Sequence, residues 1–179
     1  ALAEAEVEYA DKESKAIDFL FPIESNQLKE VFNDITSENT FIASWTTTPW
    51  TIPSNKAICF NSKFKYELVE IKSKGKIFNL VICSDLIEDT LERYEIENFV
   101  KLGSTTGDKL SDLICSHPFL DQKSPLISGD HVTTEMGTGF VHTAPAHGLE
   151  DYEACKELEI DLTSPVKADG KFNEDIPYV

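Results

Sequence analysis

No cysteine of this chain stands close to another. Cys59, Cys83, Cys115 and Cys155 are far apart and form no Cys-x-x-Cys pair, so neither a zinc knuckle nor a thioredoxin-like redox site is encoded, and reduced, buried thiols are expected. Positive charge is equally scarce. Sixteen basic residues face 32 acidic ones, a formal net charge of -16, the wrong sign for a surface that grips nucleic acid mainly through phosphates. Any nucleic-acid contact is therefore expected to be local, and most of the acidity reads as a solvated face. No apolar run approaches the ~20 residues of a membrane span, and residues 1–8 carry no basic n-region. The expectation is a cytoplasmic protein without membrane contact. There is no internal repeat and no Gly-x-Ser-x-Gly elbow for a serine nucleophile. His142, His147 and Asp151 follow no metal-ligand spacing, so no metal is expected.

What is present is a core. With 179 residues, 41% hydrophobic and 10% aromatic, the chain is read as one folded domain spanning 1–179. Ala3–Tyr9 alternates with period two and reads as a strand, as does the apolar run Ala16–Ile23. Leu28, Val31, Phe32 and Ile35 are spaced to line one face of a helix over Asn26–Ile35. Strands are expected at Phe41–Thr46, Ala57–Phe60 and Tyr66–Ile71, the last returning through a Gly75 turn into Ile77–Cys83 as a hairpin. Asp85–Tyr94 reads as a helix with Ser84 as N-cap. Short apolar runs at Phe99–Leu102, Leu113–Phe119 and Pro125–Val132 precede a final helix from about Leu149 to Ile160, with Tyr152, Cys155 and Leu158 as its buried stripe. Many short strands with few helices predict a mixed α/β fold with a compact, barrel-like β core and short peripheral helices rather than a doubly wound sheet.

Two stretches carry the chemistry. Trp45-Thr46-Thr47-Thr48-Pro49-Trp50-Thr51 puts three threonines at a strand end, and Pro49 biases Thr48 toward extended backbone; threonine's preference for strands is the competing explanation. The second, from Gly137-Thr138-Gly139 through Phe140-Val141-His142 to Ala144, Pro145, His147, Glu150, Asp151 and Tyr152, brings His142 out of a strand just before a turn into a helix. Glu150 and Asp151 fall in its first turn, where the helix dipole favours carboxylates and capping competes with a functional role.

Together these stretches resemble the two signature segments of the editing domain inserted in the class I aminoacyl-tRNA synthetases for isoleucine, valine and leucine. Their order and separation match, and the resemblance extends over the chain, including Ser116-His117-Pro118-Phe119 and Gly129-Asp130-His131-Val132-Thr133. Valyl and leucyl members typically carry arginine before the proline and an acidic residue after it, where this chain has Thr48 and Trp50. Valyl members tend to carry lysine at the position of His142. The isoleucyl type is therefore the nearest. No His-x-Gly-His stretch or Lys-Met-Ser-Lys-Ser loop occurs, so the chain reads as a fragment lacking the amino-acid activation site.

The resemblance implies hydrolytic deacylation of valyl-tRNA(Ile), with valyl-adenylate as a second candidate substrate. It implies no cofactor for editing; ATP and magnesium would serve only activation in the parent enzyme. The implied partners are the tRNA(Ile) acceptor end carrying valine and the rest of the synthetase, with the chain a monomer. Thr46, Thr47 and Asp151 would be catalytic. Thr48, Trp50, Thr51, Asn55, His142, Gly137 and Ala144 would bind substrate or set specificity. Asp151 would hold the α-ammonium, His142 would exclude the longer isoleucyl chain, threonine hydroxyls would hold water and ribose, and Trp50 would pack on the terminal adenosine. A non-catalytic acceptor-end binding module, a valyl-type editing domain and a metal-dependent hydrolase are the alternatives.

Overall fold

A computed structural model describes residues 15–32, 35, 37–174 and 176; the expected strand at Ala3–Tyr9 lies outside them. β-branched and aromatic runs separated by polar turns favour strands, and nine of them form one mixed sheet: β1 (Ile17–Pro22), β2 (Thr40–Thr46), β3 (Ala57–Phe60), β4 (Lys65–Ser73), β5 (Lys76–Cys83), β6 (Phe99–Thr106), β7 (Ile114–Ser116), β8 (Lys123–Ser128) and β9 (Phe140–Thr143). The order is β6-β4-β5-β2-β9-β3-β8-β7, with β1 also pairing to β2. This curled half-barrel with few, short helices agrees with the barrel-like expectation.

The sheet forks at β2. One edge of that strand pairs antiparallel with β1 from Phe41 to Thr46. Its other edge meets β5 in parallel over Thr40–Ile42 and then β9 in parallel at Trp45. β9 also runs antiparallel to β3, with His142 opposite Ile58. The fork thus brings Trp45, at the threonine end of β2, beside the strand that carries His142.

Burial of apolar side chains on both faces of the sheet supplies the stability. One cluster gathers Phe21, Leu28, Phe32, Phe60, Tyr66 and Phe140. A second packs Val69, Leu80, Ile82, Ile87 and Leu91 under the helix α2 (Ile87–Arg93). A third lies under α3 (Leu149–Lys156), around Cys59, Ile127, Val132 and Cys155. All four cysteines are buried and free. Among the described residues no helix is long and apolar enough to cross a membrane.

The helices depart from the sequence reading. The helix expected over Asn26–Ile35 is a single turn, α1 (Ser25–Leu28). Its apolar spacing nevertheless works, since Leu28 and Phe32 are fully buried and Val31 and Ile35 pack against them. Ser84 does not cap α2: it opens a 3-10 turn over Ser84–Leu86, and its hydroxyl is buried without a partner among the described residues. The last helix ends at Lys156, and of its expected buried stripe only Cys155 is inside, Tyr152 and Leu158 being exposed. One turn of contact with the sheet suffices to anchor so short a helix, which leaves its other faces in water.

Candidate functional site

The two signature stretches meet. Beyond Thr46 the chain turns into a 3-10 segment, Pro49–Ser54, started by Pro49, whose fixed φ suits a first helical position. This segment lies against β9 and the turn that follows it. The Thr51 hydroxyl is 3.0 Å from His142 Nε2, the Asn55 amide nitrogen is 2.8 Å from His142 Nδ1, and the Ser54 hydroxyl is 2.8 Å from His147 Nε2.

Hydrogen-bond chemistry fixes the His142 tautomer. Carbonyl oxygens only accept. Asn55 Nδ2 donates to the Ala57 carbonyl at 2.8 Å, so the amine side of that amide faces His142, and Nδ1 must accept. Asn55 Oδ1 correspondingly takes a bond from the Ser124 hydroxyl at 2.6 Å. At the other end the Thr51 hydroxyl spends its proton on the Thr48 carbonyl at 2.8 Å, so His142 Nε2–H donates to Thr51. Both ends demand the same neutral ring. His142 is only 4% exposed; burial, with smaller contributions from His117 and His147, lowers its pKa to about 4, against the Thr51 bond, which raises it. With both nitrogens engaged, the ring is neutral near pH 7 and held in one orientation.

His117 provides a second lock. Its Nδ1 accepts the backbone N–H groups of Phe119 and Leu120, and Nε2–H donates to the Ile52 carbonyl at 3.0 Å. Burial lowers its pKa too. The Ser116-His117-Pro118-Phe119 motif is thereby explained as a brace under the 49–54 segment.

The threonines divide into two kinds. Thr46 and Thr51 are buried. The Thr46 hydroxyl accepts the Thr48 backbone N–H at 3.1 Å and lies 3.2 Å from the Thr48 hydroxyl, which closes a local turn. These two, expected to hold water or ribose, have their hydroxyls engaged within the protein, as buried hydroxyls must be. Thr47 and Thr48 are exposed, as is Trp50 at 65%. Asn55, expected as a substrate-binding residue, is fully buried and contacts His142. Gly137 has φ +86°, and a Cβ there would lie 3.2 Å from the Trp45 ring, so it acts through backbone geometry. Ala144 is buried, and its N–H reaches Asp151 Oδ2 at 2.8 Å.

Asp151 is half-buried at the start of α3. Desolvation raises its pKa, while the Ala144 N–H, His131 and His147 act in the opposite direction. Among the described residues its Oδ1 has no hydrogen bond and Asp151 no ion-pair partner. Glu150, its neighbour, is exposed. Hollows of about 500 Å³ between β8 and α3 and about 480 Å³ beside α2 lie away from this junction. The junction itself is a surface of exposed Thr47, Thr48 and Trp50 and half-buried Asp151 around a buried histidine. What sequence reasoning missed was the support: Ser124, His117 and Tyr66 lie far off in the chain, and only the His117 motif left a signal.

No protein-family model matches the chain. It is 45% identical over 177 residues to an isoleucine–tRNA ligase of Francisella tularensis subsp. novicida (98% of this chain, 18% of the relative). It is 47% identical over 182 residues to one of Neisseria meningitidis serogroup C (100% of this chain, 19% of the relative). The chain thus spans about a fifth of the length of these curated relatives. Among solved structures, the editing domain of Plasmodium knowlesi cytosolic leucyl-tRNA synthetase superposes with a TM-score of 0.66 at 12% identity, covering 84% of this chain and 64% of that one. The P. falciparum counterpart gives 0.60 at 14% identity, covering 82% and 68%. By sequence the chain belongs with the isoleucine–tRNA ligases, matching about a fifth of their length, and its fold is the one seen in the solved leucyl-tRNA synthetase editing domains.

Proposed function

We propose that this chain hydrolyses the ester of valyl-tRNA(Ile), releasing valine and free tRNA. Valine lacks one methylene of isoleucine, a difference of about 1–3 kcal/mol in an apolar pocket; this is the established figure for that pair rather than one obtained from this chain. A site that selects by exclusion needs a wall that does not yield. His142, held at both nitrogens, is such a wall, and this observation carries the reading.

Asp151 presents its unpaired oxygen to the valyl α-ammonium, a charge-assisted contact of about 1.5–3 kcal/mol. The bond from Ala144 to the other oxygen keeps the carboxylate aimed. The exposed Thr47 hydroxyl, with that of Thr48, orients the attacking water and the acceptor ribose, and Trp50 offers its exposed ring to the terminal adenine. Water adds to the ester carbonyl, the bond to the ribose oxygen breaks, and that oxygen takes a proton. Orientation supplies most of the rate, with no covalent enzyme intermediate and no cofactor. Gly137 and Ala144 contribute backbone. ATP and magnesium belong to the activation chemistry of the parent ligase, and the remainder of the synthetase supplies most of the phosphate contacts.

The -16 charge favours a second reading, an acceptor-end binding module that needs the parent body to hydrolyse anything. Saturating amounts of the chain, added to valyl-tRNA(Ile) and isoleucyl-tRNA(Ile) in separate reactions, decide between them. Release of valine alone, lost in Asp151→Ala, is the expected result. Equal release from both esters contradicts the exclusion wall; release from neither leaves the binding module.

A further inference from the structure

The chain contains a single arginine, Arg93, and all three nitrogens of its guanidinium make hydrogen bonds. From the end of α2, Nε and Nη2 fork onto the two oxygens of Asp18, each at 3.2 Å. Nη1 donates to the Asp89 carbonyl at 3.2 Å. Nη2 also donates to the carbonyl of Gly137 at 3.0 Å, and the fully buried Thr90 hydroxyl reaches that same oxygen at 3.1 Å.

The surroundings close into a ring. Asp18 stands opposite Trp45 in the β1–β2 ladder, and Gly137 sits so near the Trp45 indole that a Cβ would be 3.2 Å from it. Arg93 therefore ties Asp18 to Gly137, both of them neighbours of Trp45. The next two carbonyls are held as well: Thr138 O accepts the Cys83 N–H at 2.9 Å, and Gly139 O accepts the Tyr66 hydroxyl at 2.9 Å. This pinned backbone ties the end of β5 to the start of β9. Two residues after Trp45 comes Thr47, and three after Gly139 comes His142.

We propose that Arg93 is a positioning residue for the editing site. It sets the distance between the threonine end of β2 and the His142 wall by pressing Gly137 onto Trp45. The proposal rests on the hydrolytic reading for its kinetic consequence and stands apart from it for its structural one. Lysine has the charge but a single ammonium, which cannot reproduce the two-nitrogen fork on Asp18 while also reaching the Asp89 and Gly137 carbonyls.

The test uses Arg93→Lys, Asp18→Asn and Thr90→Val, each with a melting curve to show that it folds. Two readouts follow: the Trp45 indole and His142 ring resonances by NMR on this chain, and deacylation of valyl-tRNA(Ile) by the full-length ligase. Arg93→Lys is expected to shift both sets of resonances and to lower kcat about tenfold with KM within twofold. Asp18→Asn is expected to reproduce this, and the double variant to be no worse than either single one. Unshifted His142 and Trp45 resonances overturn the proposal, as does a kcat within twofold of the parent or a change in KM alone. A parent ligase that does not deacylate valyl-tRNA(Ile) sinks the proposed function instead, and the resonances still decide whether Arg93 sets the geometry. If Arg93→Lys fails to fold, Thr90→Val, which removes one donor to Gly137, carries the same two readouts.

Discussion

His142 and Asp151 belong to one signature stretch and have opposite surroundings. The histidine is buried and committed at both nitrogens, in a chain running from Ser124 through Asn55 to Thr51 and the Thr48 carbonyl. The carboxylate is half-exposed, with one oxygen anchored by Ala144 and the other unpaired among the described residues. Under the proposed function the difference separates shape from charge: a wall must be rigid and neutral, whereas a group that captures an ammonium must stay ionised and accessible.

Four experiments break or sharpen that contrast. His142→Ala is expected to cost most, about 3–5 kcal/mol in denaturant unfolding, because it opens a cavity and strands the Thr51 and Asn55 partners. It should also expose isoleucyl-tRNA to hydrolysis. Next is acid. A histidine near 6.5 when unfolded and about 4 when folded stabilises the fold fully above pH 6.5, and this contribution is lost as pH falls from 6.5 toward 4. It amounts to about 3 kcal/mol. Unfolding curves across that range should show the loss, and His142→Gln should flatten it. Asn55→Asp replaces the donor at Nδ1 by an acceptor, so the imidazole should titrate well above 4 by NMR.

Asp151→Asn follows. An amide oxygen still accepts from Ala144, so the melting temperature should hold while valyl-tRNA hydrolysis falls about 10- to 100-fold, the loss of one charge-assisted contact. An unchanged rate removes Asp151 from substrate binding. The smallest effect separates the threonines: Thr47→Ala should lower the single-turnover rate threefold to tenfold, about 1 kcal/mol, without altering stability. Thr46→Ala should do the reverse, because its hydroxyl closes the local turn.

Much of this was legible in the residues. Period-two alternation located the β4–β5 hairpin, and the two signature stretches pointed to the elements that meet at β9. Roles were less legible than places. Thr46, Thr47 and Thr51 look alike in sequence, yet of the three only Thr47 is exposed, because the turn after β2 folds Thr46 and Thr51 inward. Asn55 offered no cue that its amide faces a histidine, since that contact forms between residues distant in the chain. Helix ends failed where tertiary packing overrode local preference: α1 stops after one turn, and Ser84 points inward instead of capping. Arg93 gave no signal, because its meaning lies in a loop more than forty residues away.

Among the described residues the sheet does not close on itself, and β6 and β7 stand at the ends of its strand order. β7 has three residues, and β6 carries Lys101 and pairs with a β4 whose register slips between Leu68 and Val69. Short, charged or irregular borders are poor templates for a neighbouring molecule's strand. An open half-barrel can thereby resist aggregation through its borders while both faces of the sheet are filled by the hydrophobic clusters.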